Sequence, residues 1–197
     1  NIKDIITNAA KKVGLDPKTL LAFAAVESDM NPNAKAKTSS AAGLFQFINS
    51  TWESVVKRYW SKYGYPDRKP DRMRAEDSAI LAAAMMKHEG YPAALKAAGS
   101  VSITDIYLTH FLGEGGGPSV IKASPDTPVS QILSADAIAA NKSVLEGKTA
   151  GEVRAWAARK MREGSGVDSD PTYDVIPFED RVALRDDAER EAAAIVN

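Results

Sequence analysis

The stretch LLAFAAVESDMNPNAKAKTSSAAGLFQF, residues 20–47, decides how this chain is read. Just upstream, Asp16-Pro17 has the form of an N-cap followed by a first-turn proline. Asn31-Pro32 has the form of a stop, because a residue that precedes proline avoids the helical region. The helix so bounded runs to about Ser28. Glu27 stands four residues after Phe23 and seven after Leu20, on a face that is otherwise apolar. Burial and the negative end of a helix dipole each favour the neutral form of a carboxyl group, which is the form a general acid needs. A glutamate near a helix end is also an ordinary surface residue, so position alone decides nothing. The loop that follows adds weight. TSSAAGLFQF sets small hydroxyl side chains and Gly43 beside two aromatics and Gln46. Small residues let backbone approach a ligand, and an amide side chain both donates and accepts hydrogen bonds, as sugar hydroxyls and acetamides require. Leu44, Phe45, Phe47 and Ile48 read equally well as core.

Helical punctuation continues along the chain. Ser50-Thr51-Trp52-Glu53 reads as a capping box that starts a helix to about Tyr63. Trp52 and Trp60 on it are expected at the core or its rim. YGYPDRKPDRMR is a polar loop, and AEDSAILAAAMMKHEG a helix closed by Gly90. Pro92 opens a short helix to about Ala98, and Ser102 to Asp105 cap ITDIYLTHFLG, closed by Gly113. Shorter helical pieces fill 118–146, and a second capping box, Thr149 to Glu152, starts AGEVRAWAARKMREG. No alternating strand pattern of useful length occurs. Residues 1–162 therefore read as an all-α domain. EGSGVDSDPTYDVIP follows as a linker, and FEDRVALRDDAEREAAAIVN as a charged helix with a thin stripe at Leu184, Ala188 and Ala192. Residues 163–197 are expected to form an acidic linker and helix leading into a larger protein.

Composition narrows the functions. The 197 residues include no cysteine, which removes disulfides, thiol chemistry and cysteine metal sites. The two histidines, His88 and His110, are too few for a histidine cluster. The net charge of -1 conceals 22 Lys and Arg against 16 Asp and Glu in residues 1–162, and 3 against 10 thereafter. No basic stripe interleaved with aromatics suggests nucleic acid, no run is long and apolar enough to span a membrane, and no secretory signal is visible.

At this point the residues carry a resemblance. VESDMNP, AGLFQF and the following TW resemble the motif set of the lytic transglycosylase family, the goose-lysozyme-like SLT fold. In that family a Glu-Ser pair ends a helix, Asn-Pro follows, and Gly-Leu-x-Gln comes about fifteen residues later. Here these are Glu27-Ser28, Asn31-Pro32 and Gly43-Leu44-Phe45-Gln46. SAILAAAMMK, residues 78–87, resembles the small-residue helix that backs the site, and YLTHFLGEGG, residues 107–116, the family's third motif. The resemblance implies an all-α, lysozyme-like helical domain with a C-terminal helical extension. His110-Phe111 replaces the usual Tyr-Asn, with Tyr107 one turn earlier, a form similar to phage-borne members. Either Tyr107 or His110 is then the residue near the carboxylate. The plainer readings are core packing for Tyr107 and a satisfied buried histidine for His110. Lys37 stands where many members have a serine, which leaves Thr38, Ser39 or Ser40 for that contact. Ser40 is the candidate taken forward.

Glycosidases generally use two carboxylates, set apart by roughly 5 Å or about 6.5–9.5 Å according to outcome. Asp29 faces another way if the helix continues, Glu53 serves the capping box, and Glu76 and Asp77 suit a helix start. Glu114 is the hardest to dismiss. A single-acid mechanism fits better, and the resemblance implies one. Glu27 protonates the oxygen between N-acetylmuramic acid and N-acetylglucosamine, then helps to close a 1,6-anhydro ring, with no cofactor or metal. Gly43, Gln46 and Ser40 position sugars, and Tyr107 or His110 orients the acid. The expected partners are peptidoglycan glycan strands and the rest of a virion or tail protein, acting at the host periplasm and cell wall. The alternatives are a free endolysin or bacterial wall enzyme, a goose-type muramidase using Glu114 or Asp29, and a non-catalytic wall-binding virion protein.

Overall fold

The computed structural model describes residues 1–99 and 102–165. Their regular secondary structure is helical, with no strand among them and three isolated antiparallel bridges, Lys35–Ala42, Ala42–Phe47 and Pro128–Thr149. The chain is all-α, as its punctuation predicts. It packs as two compact units, essentially residues 1–89 and 90–162. The segment expected to form the catalytic domain spans both. Of the expected tail, residues 163–165 continue the last helix and the remainder lies outside the described residues.

The first unit holds α1 (Ile2–Val13), α2 (Pro17–Ser28), α3 (Asn49–Tyr63), α4 (Ala75–Met85) and a π turn (Met86–Gly90). Helix α4 is its hub and touches α1, α2 and α3. Ala79 through Ala84 are buried on every side of this helix, so its apolarity all round marks a central helix, not an amphipathic surface one. Helix α1, which the sequence reading did not single out, buries Ile6, Ala9, Ala10 and Val13 along one stripe. It ends on Gly14 at φ 86°, with the Leu15 amide donating to the Ala10 carbonyl and the Gly14 amide to Lys11, a Schellman close. Two lysines cap helix ends from a distance: Lys87 Nζ donates to the Val13 carbonyl and Lys12 Nζ to that of Tyr63.

Two sequence expectations fail here. Helix α3 begins at Asn49 with Ile48 in the cap position and no side-chain cap, so Ser50 and Glu53 form no capping box. The first-turn amide of Asn49 is already taken by the hydroxyl of Ser40, 3.0 Å away. Gly90 does not close the fourth helix. Its φ of -63° and ψ of -51° keep it right-handed, and the backbone passes through the π turn into α5 (Tyr91–Ala98). Pro92 sits in the first turn of α5, as the sequence predicts.

The second unit contains α5, α6 (Ile103–Lys122), a 3-10 turn (Val129–Gln131), α7 (Ala135–Ala140), α8 (Lys142–Leu145) and α9 (Ala150–Ser165). Ser102 caps α6 by accepting from the Asp105 amide, and Gly113 interrupts it at φ 81°, ψ 171°. The chain then folds back so closely that a Cβ on Gly117 would lie 2.6 Å from the Thr109 Cα. The capping box of α9 forms as expected, with Thr149 Oγ1 accepting from the Glu152 amide and Glu152 Oε1 from the Thr149 amide. The amides of Ala150 and Gly151 donate to the carbonyls of Thr127 and Pro125, tying the preceding loop to the start of the helix.

Candidate active site

Helix α2 is built as its caps predict. Asp16 accepts from the Lys18 amide, Pro17 fills the first turn, and Leu20 and Phe23 are buried. Glu27 on the last turn is half-buried. The carboxylate expected to point into the core thus sits at the edge of the buried face. The helix stops because the next two residues, Asp29 and Met30, are left-handed, at φ 53° and 63°. Their amides still donate to Ala25 and Ala24, so the turn closes without losing its last carbonyls. Asn31 Oδ1 then accepts from the Asn33 amide across Pro32, an Asx turn that aims the chain into the loop.

That loop is a fixed object. Ala42 bridges to both Lys35 and Phe47, and the Gly43 amide donates to the Ala34 carbonyl at 2.8 Å. Gly43 is required twice over. Its φ is 82°, and a Cβ there would stand 2.3 Å from the Arg72 carbonyl oxygen. Gln46 is left-handed at φ 50°, and its side-chain nitrogen donates to the carbonyls of Gly43 (2.8 Å) and Ala34 (3.2 Å). Its carbonyl oxygen accepts no hydrogen bond among the described residues. The three left-handed non-glycine residues among those described, Asp29, Met30 and Gln46, all fall between the end of α2 and the end of this loop. Each costs on the order of 1–3 kcal/mol, and such strain collects where function holds it in place.

The loop is anchored from behind. Arg72 Nη1 donates to the Phe47 carbonyl, and Leu44, Phe45 and Phe47 are buried as core. Ile48, grouped with them from sequence, is instead 42% exposed. Phe47 packs on Trp52 with ring centres 5.2 Å apart, and Trp60 meets the edge of Tyr65. The segment carrying Arg72 is held by Asp77, which is fully buried and accepts from Arg68, Arg74 and the Asp71 amide. Asp77 therefore does far more than complement a helix dipole. The buried hydroxyl of Ser78 lies beside Gly43 and makes no hydrogen bond among the described residues. Ser39 accepts from Ala41, and Ser40 from Asn49, so the exposed Ser40 has a structural bond and keeps its own proton to donate.

Farther along α3 a second polar cluster meets the π turn. Tyr59 donates to Glu89 Oε2 at 2.6 Å, Arg58 pairs with Glu89 Oε1, and Tyr63 hydrogen-bonds His88. Burial first, then the hydrogen bond to Glu89, push the Tyr59 phenol well above the usual tyrosine range.

In the second unit Tyr107 is buried, stacks on Phe111 (6.0 Å) and packs at a tilt against Trp156 (5.9 Å). His110 is exposed, which removes the buried-histidine reading. Trp156 is the aromatic that the motif reading missed. Its signal was its place three residues after Val153 on the buried stripe of α9.

Residues 4–92 match the Transglycosylase SLT domain family. The match covers the part of the chain that carries the Glu27-Ser28, Asn31-Pro32 and Gly43–Gln46 motifs. The family's members act on peptidoglycan. Within the matched residues lie Glu27, Ser40, Gly43 and Gln46, and the structure gathers the last three into one braced loop. Tyr107 and His110 lie beyond the matched residues, in the second unit. Among the described residues, no three carboxylate or imidazole side chains cluster as a metal site requires, and no helix is long and apolar enough to cross a membrane.

Proposed function

We propose that this chain is a peptidoglycan lytic transglycosylase that cleaves the β-1,4 bond between N-acetylmuramic acid and N-acetylglucosamine, with Glu27 as its single acid and base. The observation that carries this is the half-buried Glu27 at the end of α2, followed at once by a loop that concentrates left-handed backbone. A carboxyl group at the edge of an apolar face is partly shielded from water yet within reach of a ligand, as a general acid needs to be. The loop supplies a polar surface of fixed shape beside it in the sequence.

In the first step the Glu27 proton passes to the glycosidic oxygen as the bond from that oxygen to the muramoyl C1 breaks. The N-acetylglucosamine leaves with a free 4-hydroxyl, and the muramoyl acetamide oxygen shares the charge developing at C1. In the second step the Glu27 carboxylate takes the proton of the muramoyl 6-hydroxyl as O6 bonds to C1. Glu27 is again protonated, a 1,6-anhydro ring has formed, and no water is consumed. Gln46, through its unengaged Oε1, and the hydroxyl of Ser40 hold sugar N–H and O–H groups over Gly43. On this reading the protein works in the bacterial wall, as a virion-borne or free wall-cutting enzyme.

The test is mass spectrometry of purified peptidoglycan digested with the protein and with Glu27→Gln. Muropeptides lighter by one water, made only by the unmodified protein, are the expected result. Reducing-end products would replace this reading with a hydrolase, and glycan bound but uncut by both proteins would replace it with a binding module.

A further inference from the structure

The second unit holds a cavity of about 410 Å³ that no step above uses. Its walls come from the start of α6, Pro125 and the first half of α9. Gly151 fixes how closely the walls approach, since a Cβ there would lie 2.8 Å from the Pro125 carbonyl oxygen. Ala155 and Ala158 keep the α9 wall low. Asp105 and Arg154, both half-buried, line the same space. They carry opposite charges, yet neither side chain makes an ion pair or hydrogen bond among the described residues.

Two partly desolvated charges that share a cavity without meeting each other leave interactions unmade. The cavity is of the size that small ligands fill. A neutral sugar engages neither charge strongly. A ligand with a carboxylate for the flat guanidinium fork of Arg154 and an ammonium for Asp105 satisfies both at once. We propose that this cavity binds a short peptide bearing both a free carboxylate and a free ammonium. Resting on the peptidoglycan reading above, its occupant is the stem peptide carried by the glycan strand. The site lies outside the matched residues 4–92, so this chain would add peptide recognition to the transglycosylase segment.

The test is calorimetric titration of the full chain with a synthetic stem peptide ending in a diamino acid. The same peptide, acetylated at its amines and amidated at its carboxylates, serves as the comparison. Saturable binding of the free peptide is expected, with none for the blocked one. Arg154→Gln and Asp105→Asn should each weaken binding about tenfold or more, the loss of one charge-assisted contact. Circular dichroism melts confirm that both variants fold. No binding by the folded wild type, equal binding of the blocked peptide, or unchanged affinity in both variants overturns the proposal. Equal binding of an all-L peptide with the same charges overturns the stem assignment. Binding is read without turnover, so the two ideas fail separately. Peptide binding without anhydro products keeps the site and removes the lytic reading. Anhydro products without peptide binding do the reverse.

Discussion

The carbonyl oxygen of Arg72 occupies the space that a side chain at Gly43 would need, 2.3 Å from where its Cβ would stand. Because the obstacle is backbone, no rotamer change relieves it. Gly43→Ala must also hold φ at 82°, which costs about 1–2 kcal/mol for an L-residue. With the displaced loop added, the total should reach about 3 kcal/mol or more in urea denaturation, with glycan cleavage lost. Gly147→Ala is the control: its φ is 69° but nothing lies within 4 Å, so only the conformational cost of about 1 kcal/mol is expected and activity should hold.

Gln46 separates shape from hydrogen bonding. Its nitrogen donates to two carbonyls. Gln46→Glu keeps the shape but turns a carboxylate oxygen toward both acceptors, whereas Gln46→Ala merely leaves them unmet. Gln46→Glu should therefore be the less stable of the two near neutral pH. It should recover as pH falls through the carboxyl range, when the protonated group again donates. Stability of the two variants against pH, measured by thermal melts, checks the order; a Gln46→Glu curve parallel to wild type would refute it.

Asp77 is the acceptor on which the 68–74 segment converges, and its side chain is fully buried. Its partners Arg68 and Arg74 are 30% and 40% exposed, so water partly replaces Asp77 when it is removed. Asp77→Asn should cost about 2–4 kcal/mol, toward the low end of the penalty for breaking a buried pair. Activity should fall by more than the unfolded fraction explains, because Arg72 braces the loop. Equal losses of stability and activity would show that the brace is not needed.

Local signals were legible where one residue settles one geometry. Asp16-Pro17, Ser102 and Thr149 with Glu152 all cap as read, and Gly113 breaks α6. Glu27 and the Gly43–Gln46 segment were found because their types and spacing are unusual together. What sequence did not reveal depends on distant partners. Ser50 has the form of a cap, but Ser40 reaches Asn49 from nine residues away. Gly90 has the form of a stop, but a π turn carries the chain onward. Asp77 looked like a dipole partner until two arginines closed on it. Helix α1 escaped notice although its stripe was present, because its start and end needed Asn1 and Gly14 to be read together.

The two serines give a direct test of that lesson. Ser40→Ala removes the acceptor for the Asn49 amide and should cost about 1 kcal/mol, as loss of an N-terminal cap does. Ser50 makes no cap bond, so Ser50→Ala should stay within about 0.5 kcal/mol of wild type. Paired urea curves decide it. A larger effect at Ser50 would restore the capping box that the sequence suggests.

The Tyr59 phenol supplies a pH prediction whose sign follows from its raised value. Burial and then Glu89 oppose its ionisation in the folded chain, while in the unfolded chain it ionises near the ordinary tyrosine value of about 10. Below that pH both states keep the proton and the contribution to stability is intact. Above it the unfolded state sheds a proton that the folded state retains, so folding weakens as pH climbs toward the folded value. Burial raises Tyr65 as well and adds to the same slope. Tyr59→Phe cannot ionise and should flatten the loss between pH 9 and pH 11 while leaving part of it to Tyr65. It should start from slightly lower stability, having lost the hydrogen bond to Glu89. Denaturant midpoints for the two proteins across that range make the comparison, and identical slopes would mean that Tyr59 is not held neutral.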